Sequence, residues 1–381
     1  MIYFDNAATT YMKPDCVIQS VIQSLRYSGN AGRGGHEISL ESSRKIYNAR
    51  EKLADFFCFE DASCIVFTSN STESLNIALQ GILEPEDHVI TTILEHNSVL
   101  RPLYLLESKG LEVSFIPCDD KGIPKYDLIA DLIRPNTKAI IVTHASNVTG
   151  NIVDIKTIGE IAKKHNLVFI VDASQTAGSI AINALEMGID VLCTTGHKSL
   201  MGPQGIGVLA VKKGINIKPF MVGGSGVQSF HKKHPENMPV RLEAGTLNGP
   251  GIAGLCAALD FIGEKGQQEV FNTEQNLMWR FYNGIKSINH VKVYGDFNVK
   301  DRAPIVSLNI DNLDSAETAD ILAREYDIAI RSGAHCAPLI HEFFGTKTRG
   351  IVRFSFGYFN TFDEVDIAIK AVKKIAADIN P

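Results

Sequence analysis

The chain has 381 residues, 45% of them hydrophobic, and a mean hydropathy of +0.02, which is enough apolar material for a large core and two domains and excludes disorder as the main theme. A formal charge of −6 and a pI near 6.0 offer no diffuse attraction to nucleic acid or an anionic membrane, so small-molecule chemistry is expected. Seven cysteines, scattered without CxxC spacing, exclude a disulfide framework or structural zinc site and read mostly as small buried apolar residues.

The N-terminus lacks a basic region followed by an apolar run, and no stretch approaches a membrane span; a cytoplasmic protein is expected. Residues 1 to about 35 read as extended and turn-rich, with a Gly-rich loop at 29–36. From Ile46 the apolar positions Ala49, Leu53, Phe56 and Phe57 recur at helical spacing. Short apolar runs at 64–67, 88–92, 113–116, 139–143, 168–171, 191–193 and 206–211 then alternate with helix-like segments. That pattern predicts an α/β fold with a mostly parallel seven-stranded sheet covered on both faces.

After about residue 255 the alternation stops, and strands at 305–310 and 351–355 suggest a smaller α+β domain. The expected division is residues 1–15 packing with the small domain, 16–255 as the large domain and 256–381 as the small one. The last helix is marked by a capping box of Thr361 and Glu364, with Val365, Ala368, Ile369, Val372, Ile375 and Ala376 on one face.

Chemistry-bearing residues fall where the strand-like runs end. Lys198 follows one such end within a Gly-rich stretch, which makes it a candidate Schiff-base nucleophile; the plain alternative is a surface lysine. Asp172 and Gln175 end another, and a carboxylate there can pair with a pyridinium nitrogen. Ser71 and Thr72 open a helix after the run at 64–67 and suit a phosphate, or simply cap that helix. His96 and Asn147 reach the same edge, His96 as a ring to stack on a flat cofactor or as a structural histidine.

Cys336 lies in a loop at 331–338 bracketed by Gly and Pro, and reads as a thiol on a flexible, exposed tip. Arg353, inside an apolar strand, needs a partner: a substrate carboxylate or an internal salt bridge. The Gly249 to Gly254 stretch matches a dinucleotide fingerprint but lacks a preceding strand and carries Pro250. It is set aside, as is a metal reading of His335, Cys336 and His341.

Taken in order, Asp5-Asn-Ala-Ala-Thr-Thr10, Ser71-Thr72-Glu73, Glu95-His96, Ser146-Asn147, Asp172-Ala-Ser-Gln175, Gly196-His197-Lys198, Glu243-Ala-Gly-Thr246, Arg331 to Cys336 and Arg353 resemble the class V aminotransferase family of fold-type-I pyridoxal phosphate enzymes. Within it they are similar to the cysteine desulfurases and selenocysteine lyases, and the short cysteine loop to the group II form. The resemblance implies pyridoxal 5′-phosphate as cofactor, with Lys198 on its aldehyde, Asp172 at the ring nitrogen, His96 stacked on the ring and Gln175 at the ring hydroxyl. Ser71, Thr72, Thr195 and His197 would hold the phosphate, with Thr246 of the partner subunit of a homodimer. Asn147 and Arg353, with Arg33 and His36, would meet the substrate. Cys336 would take sulfur from L-cysteine, or selenium from L-selenocysteine, and pass it to an acceptor protein. An aminotransferase or lyase that leaves Cys336 idle is the alternative.

Overall fold

In the computed structural model, which describes residues 1–31 and 34–379, the seven apolar runs pair into one sheet. Its order is Ile65–Thr68, Gly207–Val211, Val191–Thr195, Val168–Asp172, Thr137–Thr143, His88–Thr92 and Glu112–Ile116. Only Gly207–Val211 runs against its neighbours; the other six are parallel. The reason lies in the side chains: alternate residues of each strand enter different cores, with Ile140 and Val142 on one face and Ala139 and Ile141 on the other. Each fully buried aliphatic side chain contributes about 1.5–3 kcal/mol.

Because the six strands are parallel, their C-terminal ends share one edge, and the polar residues that follow each strand collect there. Gly207 sits on the same edge, opposite Thr195 and Thr68. A Cβ on it would lie 2.6 Å from the Asn70 carbonyl carbon, so only glycine lets this strand end approach the start of helix Ser71–Ile82.

A second core forms around the antiparallel sheet of Val352–Ser355, Ile305–Ile310 and Val291–Tyr294, with helices Gln267–Ile285 and Phe362–Ile379. Phe4 is part of it. Ile2–Tyr3 pairs with Ile328–Ala329, and Ser355 N–H donates to the Phe4 carbonyl at 2.7 Å. The capping box is reciprocal: Thr361 N–H reaches Glu364 Oε2 at 2.8 Å and Glu364 N–H reaches Thr361 Oγ1 at 3.3 Å. The six apolar positions expected on that helix are all buried.

Two features differ from the sequence reading. Residues expected to be extended include helix Asp15–Tyr27, which packs against helix Gly249–Lys265 with Ser20 Oγ donating to the Ala253 carbonyl at 2.9 Å. The change of character expected near residue 255 falls inside helix Gly249–Lys265, whose Ile252, Leu255, Leu259 and Ile262 still belong to a core of the large sheet. The chain crosses to the second core after Gly266, whose φ of 84° separates that helix from Gln267–Ile285.

Candidate active site

The shared strand edge walls a cavity of about 220 Å³ lined by Lys198, Asp172, His96, Asn147, Gln175 and Arg353 together with Ser71, Thr72, Thr195 and His197. Ala7, Ala8, Asn70, Ser98, Ser174 and Arg331 complete the wall. Ten residues singled out from the sequence are thus brought together, from segments as far apart as residues 71 and 353.

Lys198 follows strand Val191–Thr195, and its backbone carbonyl accepts from Thr10 Oγ1 at 2.6 Å and from Met201 N–H at 2.7 Å. Burial lowers its pKa to about 8, with Arg353 and Arg331 adding to the effect and Asp172 opposing it. The amine is therefore neutral in a useful fraction of molecules near neutral pH, as a nucleophile requires.

Asp172 ends strand Val168–Asp172, and its Oδ1 accepts from Ser174 N–H at 3.0 Å and Ser174 Oγ at 2.5 Å. Among the described residues no donor reaches Oδ2, which leaves that oxygen to a group in the cavity. Ser71 Oγ stands 2.9 Å from Ser174 Oγ, joining the start of helix Ser71–Ile82 to this carboxylate. Gln175 Nε2 is held by the Ala7 carbonyl at 3.2 Å.

His96 caps helix Asn97–Glu107: its Nδ1 accepts from Ser98 N–H at 3.1 Å. A backbone amide can only donate, so the ring proton of neutral His96 is on Nε2. Burial and the nearby Lys198 push its pKa down to about 4, which keeps the ring uncharged. His197 behaves alike, with burial foremost and Lys198 and Lys13 beside it lowering its pKa to about 4. Its Nδ1 is 3.1 Å from Thr9 Oγ1.

Thr195 Oγ1 is buried and has no hydrogen-bond partner among the described residues. Such a hydroxyl costs about 1–3 kcal/mol unless a ligand satisfies it. Beside it the N-terminus of helix Ser71–Ile82 offers backbone amides and a positive dipole end, a suitable place for a phosphate. An amine of lowered basicity, a carboxylate with an open oxygen, a neutral ring and an anion cradle in one cavity fit an aromatic aldehyde phosphate.

Arg353 is 1% exposed and ion-paired with Asp5, Nη2 to Oδ1 at 2.8 Å. Its Nη1 donates to the Asn147 carbonyl at 3.0 Å, and its Nε has no partner among the described residues. The internal salt bridge is real, yet the guanidinium still faces the cavity with a donor to spare.

Cys336 differs from the exposed, flexible thiol read from sequence: it is half-buried and its backbone is held. Its carbonyl accepts from Asn97 N–H at 2.7 Å, and the His335 carbonyl from Asn147 Nδ2 at 2.7 Å. His335 Nε2 lies 3.0 Å from the Ile351 carbonyl. These bonds fix both His335 and Cys336 in the left-handed region, at φ 48° and 57°. Cys336 Sγ reaches the cavity wall through Arg331, 3.9 Å from Nη2. Arg331 and Asp5 were not assigned roles from sequence; Arg331 lies next to Arg353 only through backbone pairing, and Asp5 through contact over 348 residues.

Two expected site residues lie elsewhere, and a third is not among the described residues. His36 is exposed and caps helix Glu37–Phe57, its Nδ1 accepting from Ser39 N–H at 3.3 Å, because that helix start needs an acceptor. Thr246 lines a separate cavity with Leu25, Tyr47 and Val227, and Arg33 lies outside the described residues. The stretch set aside as a false fingerprint is the start of helix Gly249–Lys265, capped by Asn248. No group of three potential metal ligands occurs among the described residues, and no described helix is long and apolar enough to cross a membrane.

The sequence profile of the family described as Aminotransferase class-V matches residues 2–367. A probable cysteine desulfurase of Methanothermobacter thermautotrophicus is 32% identical over 98% of this chain and 94% of its own length. One from Halobacterium salinarum is 34% identical over 98% and 91%. The apo structure of the cysteine desulfurase of Thermococcus onnurineus NA1 superposes with a TM-score of 0.93 at 34% identity, covering 99% of this chain and 95% of that one. The cysteine desulfurase CsdA (S-sulfonic acid) of Escherichia coli gives 0.88 at 28% identity, covering 99% and 94%.

Proposed function

The chain belongs to the class-V aminotransferase family, and from that premise we propose that it is a pyridoxal phosphate-dependent cysteine desulfurase that converts L-cysteine to L-alanine and keeps the sulfur on Cys336. The observation that carries this reading is the placement of a held, half-buried Cys336 against Arg331, a wall residue of the cavity that contains Lys198 and Asp172. An aminotransferase needs no such thiol.

Lys198, Asp172, His96 and Gln175 would hold the cofactor ring, and Ser71, Thr72, Thr195 and His197 its phosphate. When bound, the cofactor supplies an electron sink for charge developing at the substrate α-carbon. Arg353 and Asn147 orient the substrate carboxylate. Lys198, poised near pH 8, takes the α-proton and delivers a proton to the β-carbon. The Cys336 thiolate attacks the substrate sulfur: the new S–S bond forms as the Cβ–S bond breaks, the β-carbon takes that proton, and the proton given up by the Cys336 thiol returns to the α-carbon through Lys198, while the substrate thiol proton stays on the persulfide. Alanine leaves, and Cys336 remains as a persulfide for an acceptor protein or a reductant.

The same reading makes the protein a cytoplasmic homodimer. Leu25 and Tyr27 are 69% and 70% exposed beside the cavity that holds Thr246, an apolar face suited to a second copy that would bring Thr246 of the partner subunit to the phosphate. Residues 1–15 would travel with the small domain that carries Cys336, as the place of Phe4 in its core suggests.

The test is a product assay with L-cysteine and L-selenocysteine, with and without a reductant, on the wild type and Cys336→Ala. Alanine from both substrates is expected. With cysteine, the variant should lose at least about a hundredfold in rate. Alanine from neither substrate ends the reading, and an indifferent variant returns it to an aminotransferase or lyase.

A further inference from the structure

We infer that Asp5 is the counter-ion of the substrate-carboxylate subsite: it holds the Arg353 guanidinium and cancels its charge, so that an amino-acid carboxylate binds weakly enough to be exchanged. The inference rests on the reading of Arg353 as the carboxylate anchor.

A guanidinium has five N–H donors, and here Nη1 is given to the Asn147 carbonyl and Nη2 to Asp5, while Nε is unpartnered among the described residues. An incoming carboxylate thus meets an arginine whose charge is already matched. Asp5 cannot withdraw easily, since the backbone of residues 4–7 is tied to Ser355 on both sides. Arg331 pairs through its backbone with Arg353, so two guanidinium groups stand together and Asp5 is the carboxylate ion-paired with Arg353. Removing Asp5 leaves the buried Arg353 guanidinium beside Arg331 without its ion-pair partner, in a site where burial strengthens every charge interaction. Asp5 also acts on Lys198, opposing the fall in that amine's basicity.

The experiment compares the holoenzyme with Asp5→Asn, which keeps an oxygen for Nη2 but loses the charge, and with Asp5→Glu, which keeps the charge. L-alanine is titrated to give its dissociation constant, and KM and kcat for L-cysteine are measured on the same samples. The expected result is alanine binding at least about tenfold tighter in Asp5→Asn, with a lower KM, and within about threefold of wild type in Asp5→Glu. Damage to the fold loosens a ligand and does not tighten it. Unchanged or weaker alanine binding in Asp5→Asn, or equal tightening in Asp5→Glu, overturns the inference. A wild type that makes no alanine from cysteine fails the activity instead, and alanine formation in the same samples tells the two apart.

Discussion

Asn147 joins the two halves of the site: its Nδ2 donates to the His335 carbonyl at 2.7 Å while its own carbonyl accepts from Arg353 Nη1 at 3.0 Å. The residue beside the proposed sulfur acceptor and the residue proposed to meet the substrate carboxylate are therefore positioned by one side chain and its backbone.

Replacing it by alanine leaves the buried His335 carbonyl short of a donor, at a cost of about 1–3 kcal/mol concentrated in the cysteine loop. Amide hydrogen exchange at residues 333–337 of Asn147→Ala should quicken by tenfold or so, a local effect, while exchange in strand Val168–Asp172 stays as in the wild type. Equal exchange in that loop would show that the bond does not hold it.

Thr195→Val separates an empty site from a filled one. Without ligand, removing the unpartnered hydroxyl should leave the melting temperature unchanged or raise it, because valine has the same shape and nothing to satisfy. With pyridoxal phosphate, the dissociation constant should rise about tenfold. A variant that melts lower without ligand and binds as the wild type contradicts the role given to Thr195.

Stability should fall between pH 6.5 and 8. Burial raises Glu95 and Glu274 from 4.5 to about 8, so in this window the folded chain keeps protons that the unfolded chain has released. A group with a raised folded pKa contributes stability that is lost as pH rises towards that value. The histidines at about 4 act below 6.5, and the lowered Lys13 and Lys198 act above 8. Over 1.5 pH units each acid accounts for about 2 kcal/mol at most. The urea midpoint should drop across the window, and less so in Glu95→Gln; a flat profile in the wild type rejects this account.

Gly207→Ala tests the approach of strand and helix at the cavity. The new methyl would lie 2.6 Å from both the Asn70 carbonyl carbon and Thr68 Oγ1, and backbone must move. A loss of about 1–3 kcal/mol is expected from urea titration, with weaker binding of pyridoxal phosphate because helix Ser71–Ile82 shifts. A variant as stable as the wild type would mean that the contact is looser than the backbone indicates.

What was legible in the sequence follows the range of the interaction concerned. The strands Thr137–Thr143 and Val168–Asp172 show as continuous apolar runs, and the polar residues after them fall on one edge because parallel pairing leaves no choice. Helix Asp15–Tyr27 was not legible: Pro14 gives it no side-chain cap, and Ile18 and Leu25 lie exposed on it, blurring the one-sided pattern that marks a buried helix. The firm seat of Cys336 depends on Asn97, Asn147 and Ile351, none of them near in sequence, and the Asp5 to Arg353 pair spans nearly the whole chain. Local spacing carries no trace of either.

The first turn of chain has a further consequence for biosynthesis. Phe4 and Asn6 bond to Ser355, Ala7 and Ala8 wall the cavity, and Thr10 fixes the Lys198 carbonyl. Residues 4–7 must therefore wait, unsatisfied, for a strand that emerges some 350 residues later. The large sheet can assemble during translation, but on the proposed reading the cofactor site is completed only once residue 355 has emerged, so a nascent chain stalled before it should bind pyridoxal phosphate poorly even with Lys198 and Asp172 already folded.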